Sequence, residues 1–329
     1  MAHRQRPSGG VPRAVFVALA LALLPLTTAV PAVAGQVRIT AVANATIRAM
    51  PDAGAEVVAQ VPLGSEVADA GPAGLDKTWV RVRLADAREG WVLVSLTRRL
   101  DPDWRWPTYD AIIAGRLARK GDGFPAWTEL VAFIERVLPE YTDPQGRARV
   151  ELARLRALTA ALESIPFTAN WRREPYASWL AVREDQVVYD EPGGRWILAG
   201  GPIWELHSLN WATQVGDDIA WLAVTNGLPG ECEGYLPCYL AIRNFLHGEY
   251  LRRAPDGRHA ALAVDVVRET ADRLSEPIDP RHAWQFDAKA DCRDLTTSVD
   301  ALAAAIAATR APARDAALAS LGTLRELCK

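Results

Sequence analysis

Hydrophobic and polar residues alternate with a period of two across the first third of the chain. The runs are Val37-Arg38-Ile39-Thr40, Thr46-Ile47-Arg48, Val57-Val58-Ala59-Gln60-Val61, Glu66-Val67-Ala68, Trp79-Val80-Arg81-Val82-Arg83-Leu84 and Trp91-Val92-Leu93-Val94. Turn residues separate them: Met50-Pro51-Asp52, Pro62-Leu63-Gly64, Gly71-Pro72-Ala73-Gly74 and the stretch from Asp86 to Gly90. Alternation puts every second side chain on one face of a strand. Short strands closely spaced by turns, with no helical stretch among them, predict a small β-barrel over residues 36–100.

The period then lengthens to that of a helix. Pro125 stands at a first helical position, and Trp127, Leu130, Val131, Ile134 and Leu138 follow at steps of three and four, up to Pro139. Asp143-Pro144 opens a second run with Val150, Leu152, Leu155, Leu158 and Leu162 inward and Arg147, Arg149, Arg154 and Arg156 outward. Two such amphipathic helices predict an antiparallel hairpin within residues 101–179. Helical spacing returns after Cys238, breaks at Pro255-Asp256-Gly257 and resumes from His259 to Leu274. Thr296 to Thr309 and Ala313 to Leu327, joined by Arg310-Ala311-Pro312, predict a last hairpin in a helical region over residues 241–329. The expected class is α+β: small β-barrels combined with antiparallel helical hairpins.

Three landmarks give the first module a family likeness. Thr46-Ile47-Arg48 with Pro51, Trp79-Val80 with Val82, and Gly90-Trp91-Val92, with the Gly64 turn between, resemble the bacterial SH3 domain family. Met50 stands where that family usually has glycine. The resemblance implies a binding module, often attached to proteins that act on or are anchored to the cell wall. A degenerate second copy is expected over residues 180–240. There Val187 to Pro192, Trp221-Leu222-Ala223-Val224 and Gly234-Tyr235-Leu236 repeat the landmarks at near-equal spacing, with Ile203 to His207 as its middle strand. The string Tyr250-Leu251, Pro255, Gly257, His259-Ala260 and Ala263, near residues 250–263, resembles the junction of tetratricopeptide-like helix pairs.

The amino terminus changes the expected compartment. Arg4, Arg6 and Arg13 form a basic segment without acidic residues, Ala14 to Ala29 is apolar or neutral, and Ala32-Val33-Ala34 supplies small residues for cleavage. This order predicts a secretory signal peptide over residues 1–34. Its apolar run would rise ~24 Å as a helix, short of a ~30 Å hydrocarbon core, which disfavours the alternative of an uncleaved anchor. Past the signal the acidic residues outnumber the basic ones, which disfavours nucleic acid as a partner. No later stretch is apolar enough to span a bilayer. Cys232, Cys238, Cys292 and Cys328 all lie in the exported part, where an even count favours two disulfides. Local pairing, Cys232 with Cys238 and Cys292 with Cys328, is expected. A helical hairpin returns the chain to its starting end, which brings Cys328 beside Cys292. Metal or redox use of the first pair is disfavoured, because thiol–metal sites space their ligands two to four apart with further ligands nearby.

No catalytic constellation emerges. Asp291-Cys292-Arg293 has the look of a nucleophile motif, but no histidine follows Cys292. His207, His247, His259 and His282 belong to no fuller ligand set, so no metal or cofactor is expected. Glu231 and Glu233 would be available to a two-carboxylate glycosidase. The expectation is a non-enzymatic periplasmic or secreted binding or scaffold protein, recognising a cell-wall peptide or glycan or another envelope protein. Trp79, Trp91 and Trp204, among twelve tryptophans, are the candidate contact residues. The alternative is a cell-wall hydrolase or peptidase with an unrecognised active site.

Overall fold

The six alternating runs become strands, and a seventh that the sequence reading does not include, Thr97–Leu100, follows them, all antiparallel. They are β1 (Val37–Thr40), β2 (Ala45–Arg48), β3 (Val57–Val61), β4 (Glu66–Asp69), β5 (Trp79–Arg83), β6 (Glu89–Leu93) and β7 (Thr97–Leu100). The computed structural model describes residues 36–71, 77–276 and 284–329. The expected signal peptide and part of the turn after Gly71 lie outside these. The strand order is β3-β2-β6-β5-β4-β1-β7, and β3 and β7 are edges that do not meet among the described residues. The expected closed barrel is therefore an open sheet. A helix, α1 (Trp106–Leu117), lies beside the outer edge of β7, and the Thr108 hydroxyl donates to the Arg99 carbonyl at 3.3 Å.

The sheet has apolar residues in two cores. Ile47, Val67, Val80, Val82, Leu84 and Val92 pack on one another within the module. Ile39, Leu63 and Leu100 instead join a core built by α1, α2 (Phe124–Val137) and α3 (Pro144–Glu163). Trp127, Leu130, Val131 and Ile134 form the expected buried stripe of α2. Asp143 caps α3 by accepting from the Gly146 amide at 2.6 Å, and Pro144 starts the first turn. Strands and helices from Gln36 to Lys329 thus form one unit rather than a string of independent modules.

Residues 180–240 depart from expectation. A short helix, α4 (Tyr176–Ala181), leads into a two-stranded hairpin, β8 (Val187–Asp190) and β9 (Arg195–Leu198). Two helices follow, α5 (Gly200–Asn210) and α6 (Gln214–Asn226). Ile203 to His207 and Trp221 to Val224, expected as strands, are helical, so there is no second barrel here. Ile219 and Ala223 face the first helical core, while Ala220 and Val224 face a second one. A helix buried on two sides loses the single apolar stripe that marks helical sequence.

The second core is carboxy-terminal. It is made by α7 (Leu236–Arg243), α8 (Glu249–Arg253), α9 (Ala260–Ser275), α10 (Ala288–Ala307) and α11 (Arg314–Glu326), with a π-helical turn at Asn244–Gly248 between α7 and α8. Both expected disulfides are present, each with 5.5 Å between Cα atoms. Cys232–Cys238 closes the loop before α7. Cys292–Cys328 ties the first turns of α10 to the second residue past α11. No helix among the described residues is long and apolar enough to cross a membrane.

Candidate functional site

Of the three expected contact residues, Trp79 and Trp91 are diagonal neighbours on one face of the β5–β6 ladder, and Trp204 lies apart on a helix. Trp79 on β5 is buried, with only 8% of its surface exposed, so it packs rather than presents a face. Trp91 on β6 is half-buried opposite Arg81 and Arg48 of the neighbouring strands. Trp204 lies on α5 and packs against both helical cores, with the Arg253 guanidinium 4.8 Å above its ring.

The residues weighed for catalysis lie apart on different elements. Cys292 is bonded to Cys328 and offers no thiol. Glu231 and Glu233 are exposed on the loop before α7. His247 is buried on the π-helical turn and lies edge-on to Trp221, and burial pushes its imidazole down to about 4. His282 lies outside the described residues.

Among the described residues one cluster offers metal-ligand atoms: a carboxylate oxygen from each of Asp217 and Asp218 and a nitrogen of His259 lie within 4.8 Å of one another. Its cation place is already filled. The Arg258 guanidinium bonds Asp218 and stands 3.6 Å from Asp217 Oδ2. Asp217 Oδ1 accepts from the Tyr250 hydroxyl at 2.6 Å, and that hydroxyl accepts from the His259 amide at 3.1 Å. His259 stacks on Trp221 at 4.7 Å. A Cβ at Gly257 would overlap both Asp217 and the Tyr250 hydroxyl. Tyr250, Gly257 and His259 of the helix-junction string therefore lock α6 onto the turn between α8 and α9.

An open aromatic site lies elsewhere, at the hairpin that replaces the second barrel. Tyr189 and Trp196 are cross-strand partners on β8 and β9. Trp171, from the loop after α3, completes a triangle of rings with centroid distances of 5.2–5.3 Å. Arg172 lies 4.2 Å over the Trp171 ring. Beside this triangle is a groove of about 440 Å³, floored by Leu180, Ala181, Val187 and Val188 and edged by Arg172 and Glu184. The volume lies in the range of small-ligand sites. The Trp196 indole nitrogen is enclosed and has no acceptor among the described residues.

Local sequence explains how the triangle is held. Val187 and Leu198, opposite each other, are buried against the core and anchor the hairpin on α3. Two residues further along the same face come Tyr189 and Trp196, at the rim. Asp190 fixes the hairpin end. It accepts from the Gly230 amide at 2.9 Å and pairs with Arg195 at 3.4 Å. The Gly230 amide, first among its donors, holds its carboxyl below the usual carboxylate range. Sequence reasoning missed the site, although six aromatic residues fall between Phe167 and Trp196. Comparison with family models, with curated proteins and with solved structures yields no match, so the function is argued from these residues alone.

Proposed function

We propose that this chain is an exported, non-enzymatic binding protein of the cell envelope, periplasmic or secreted, with the Trp171–Tyr189–Trp196 groove as its recognition surface. The carrying observation is that groove: three half-buried rings beside an open apolar floor, with one cation and one anion at the rim. Aromatic faces supply contact area at little entropic cost. Two disulfides and no free thiol among four cysteines support an oxidising compartment. The amino-terminal sheet is assigned to the bacterial SH3 type on the motif residues around Ile47, Trp79 and Trp91. It serves as a rigid platform joined to the helices, because Trp79 is enclosed. No hydrolytic role is assigned to Glu231 and Glu233, which sit exposed on the loop before α7.

The test uses residues 36–329 and isolated wall sacculi with their attached proteins. Retention on this material that falls severalfold in Trp171→Ala, but not in Trp91→Ala, is the expected result. Retention no better than that of an unrelated protein of equal charge overturns the proposal. So does a cleared band in a wall-substrate zymogram that disappears in Glu231→Gln.

A further inference from the structure

The two edges of the β8–β9 hairpin are treated differently. The Ala199 amide donates to the Gln186 carbonyl at 2.8 Å, which sets the alternation of the ladder. Residues 188 and 190 of β8 point their backbone groups at β9, and residues 187 and 189 point theirs outward. On β9 the outward groups of Leu198 are both taken by one side chain: Asn226 Oδ1 accepts from its amide at 3.1 Å, and Nδ2 donates to its carbonyl at 2.8 Å. That closes the β9 edge at Leu198, two pairs from Trp196, whose outward amide and carbonyl have no partner among the described residues. On β8 only the Val187 amide is taken, by the Arg183 carbonyl at 3.1 Å. The Val187 carbonyl and both backbone groups of Tyr189 have no partner among the described residues. Three outward groups in a row thus face the side on which Val187, Val188 and Tyr189 line the groove.

An open strand edge beside an apolar groove is the arrangement that accepts an added strand. We infer that the groove binds an extended peptide, which pairs with the free edge of β8 and inserts one apolar or aromatic side chain against Trp171, Tyr189 and Trp196. This rests on the groove being the recognition surface proposed above. It goes further by fixing the ligand as a backbone-reading peptide rather than a glycan. In the antiparallel direction one peptide residue exchanges two hydrogen bonds with Tyr189, in the parallel direction the two residues flanking the opposite one share them, and in either a further peptide amide donates to the Val187 carbonyl. The rim adds charge selection. Glu184 precedes β8 by three positions and Arg172 adjoins the ring that contacts Tyr189, so the two charges mark opposite ends of the edge. Neither has an ion-pair partner among the described residues. A peptide with a basic residue toward Glu184 and an acidic one toward Arg172 meets both.

The probes are two capped pentapeptides, Lys-Thr-Phe-Thr-Asp and its reverse, which cover both strand directions. Each is made with free backbone amides and with alternate amides N-methylated. N-acetylglucosamine tetramer is the rival ligand. Titration of residues 36–329 is followed by calorimetry, and the Tyr189 amide by hydrogen exchange. We expect one peptide to bind, N-methylation of the edge-facing amides to weaken it at least tenfold, and Tyr189 exchange to slow at least tenfold in the complex. Glu184→Lys, at an exposed position, should weaken the same peptide severalfold without altering the fold. Equal binding of the N-methylated peptide, binding of the tetrasaccharide alone, or no binding of either peptide overturns the inference. Loss of peptide binding with groove-dependent retention on sacculi intact removes only the peptide mode. Peptide binding without that retention removes only the envelope role.

Discussion

The Leu63 amide donates to Glu129 Oε1 at 2.6 Å, which ties the turn between β3 and β4 to the side of α2. The other half of the same peptide turn is held as well, since Arg136 donates to the Leu63 carbonyl at 2.9 Å. Leu63 itself is buried in the helical core. The next residue, Gly64, has φ of +75°, and a Cβ there would overlap the Phe133 ring. The sheet is thus fastened to the helices by backbone recognition of one turn.

Glu129→Ala should therefore loosen the whole joint. It leaves a part-buried amide without its acceptor, a loss of about 1–3 kcal/mol. Gly64→Ala should cost more, because it adds overlap to a left-handed backbone. Thermal unfolding of both variants checks this, and a midpoint unchanged in both would show that the turn carries no stability.

Trp79 and Trp91 should behave differently despite their matching places in the SH3-like motif. Trp79→Ala empties a buried site and should cost about 3–5 kcal/mol. Trp91→Ala, half-exposed, should cost nearer ~1 kcal/mol. Urea unfolding separates them, and equal costs would refute the packing role given to Trp79.

His247 should make the protein acid-sensitive. Its folded value of about 4 lies below the ordinary value of 6.5, because burial is the main cause and nearby Arg243 adds to it. Between these values the unfolded chain binds a proton that the folded chain does not. Stability should then be fully present above pH ~6.5 and fall by about 3 kcal/mol as the pH drops toward 4. His207 and His259 are held below the ordinary range mainly by burial too, and add to the same slope. His247→Gln should flatten the pH dependence of the unfolding free energy, and an unchanged slope would contradict it.

Cys292–Cys328 should matter most to the carboxy-terminal core. The bond spans 36 positions, and a loop of that size corresponds to ~3–4 kcal/mol of unfolded-state entropy. The double variant Cys292→Ser with Cys328→Ser should shift the urea midpoint down by that amount at unchanged slope. No shift would mean that the packing of α9 against α11 suffices alone.

The local signals determined much of this chain. Alternation from Val37 to Val94 marked the strands of the sheet, and Asp143-Pro144 with its leucine stripe marked α3 from cap to end. The return of the last helical hairpin to its starting end is enough to pair Cys292 with Cys328. These features depend on neighbours within a few residues, or on the return of one hairpin, so periodicity and turn chemistry suffice to find them. Tertiary structure decided the rest. Trp221 to Val224 read as a strand because α6 is squeezed between two cores and shows no single apolar face. The strand order that leaves β3 and β7 as edges, with α1 beside β7, is set by pairings between distant segments that no local pattern announces. Trp171, Tyr189 and Trp196 meet only once the hairpin settles on α3, and the carboxamide that takes the outward groups of Leu198 comes from Asn226, twenty-eight positions further along. Contacts between distant segments depend on how elements pack, and the sequence near each residue does not contain them.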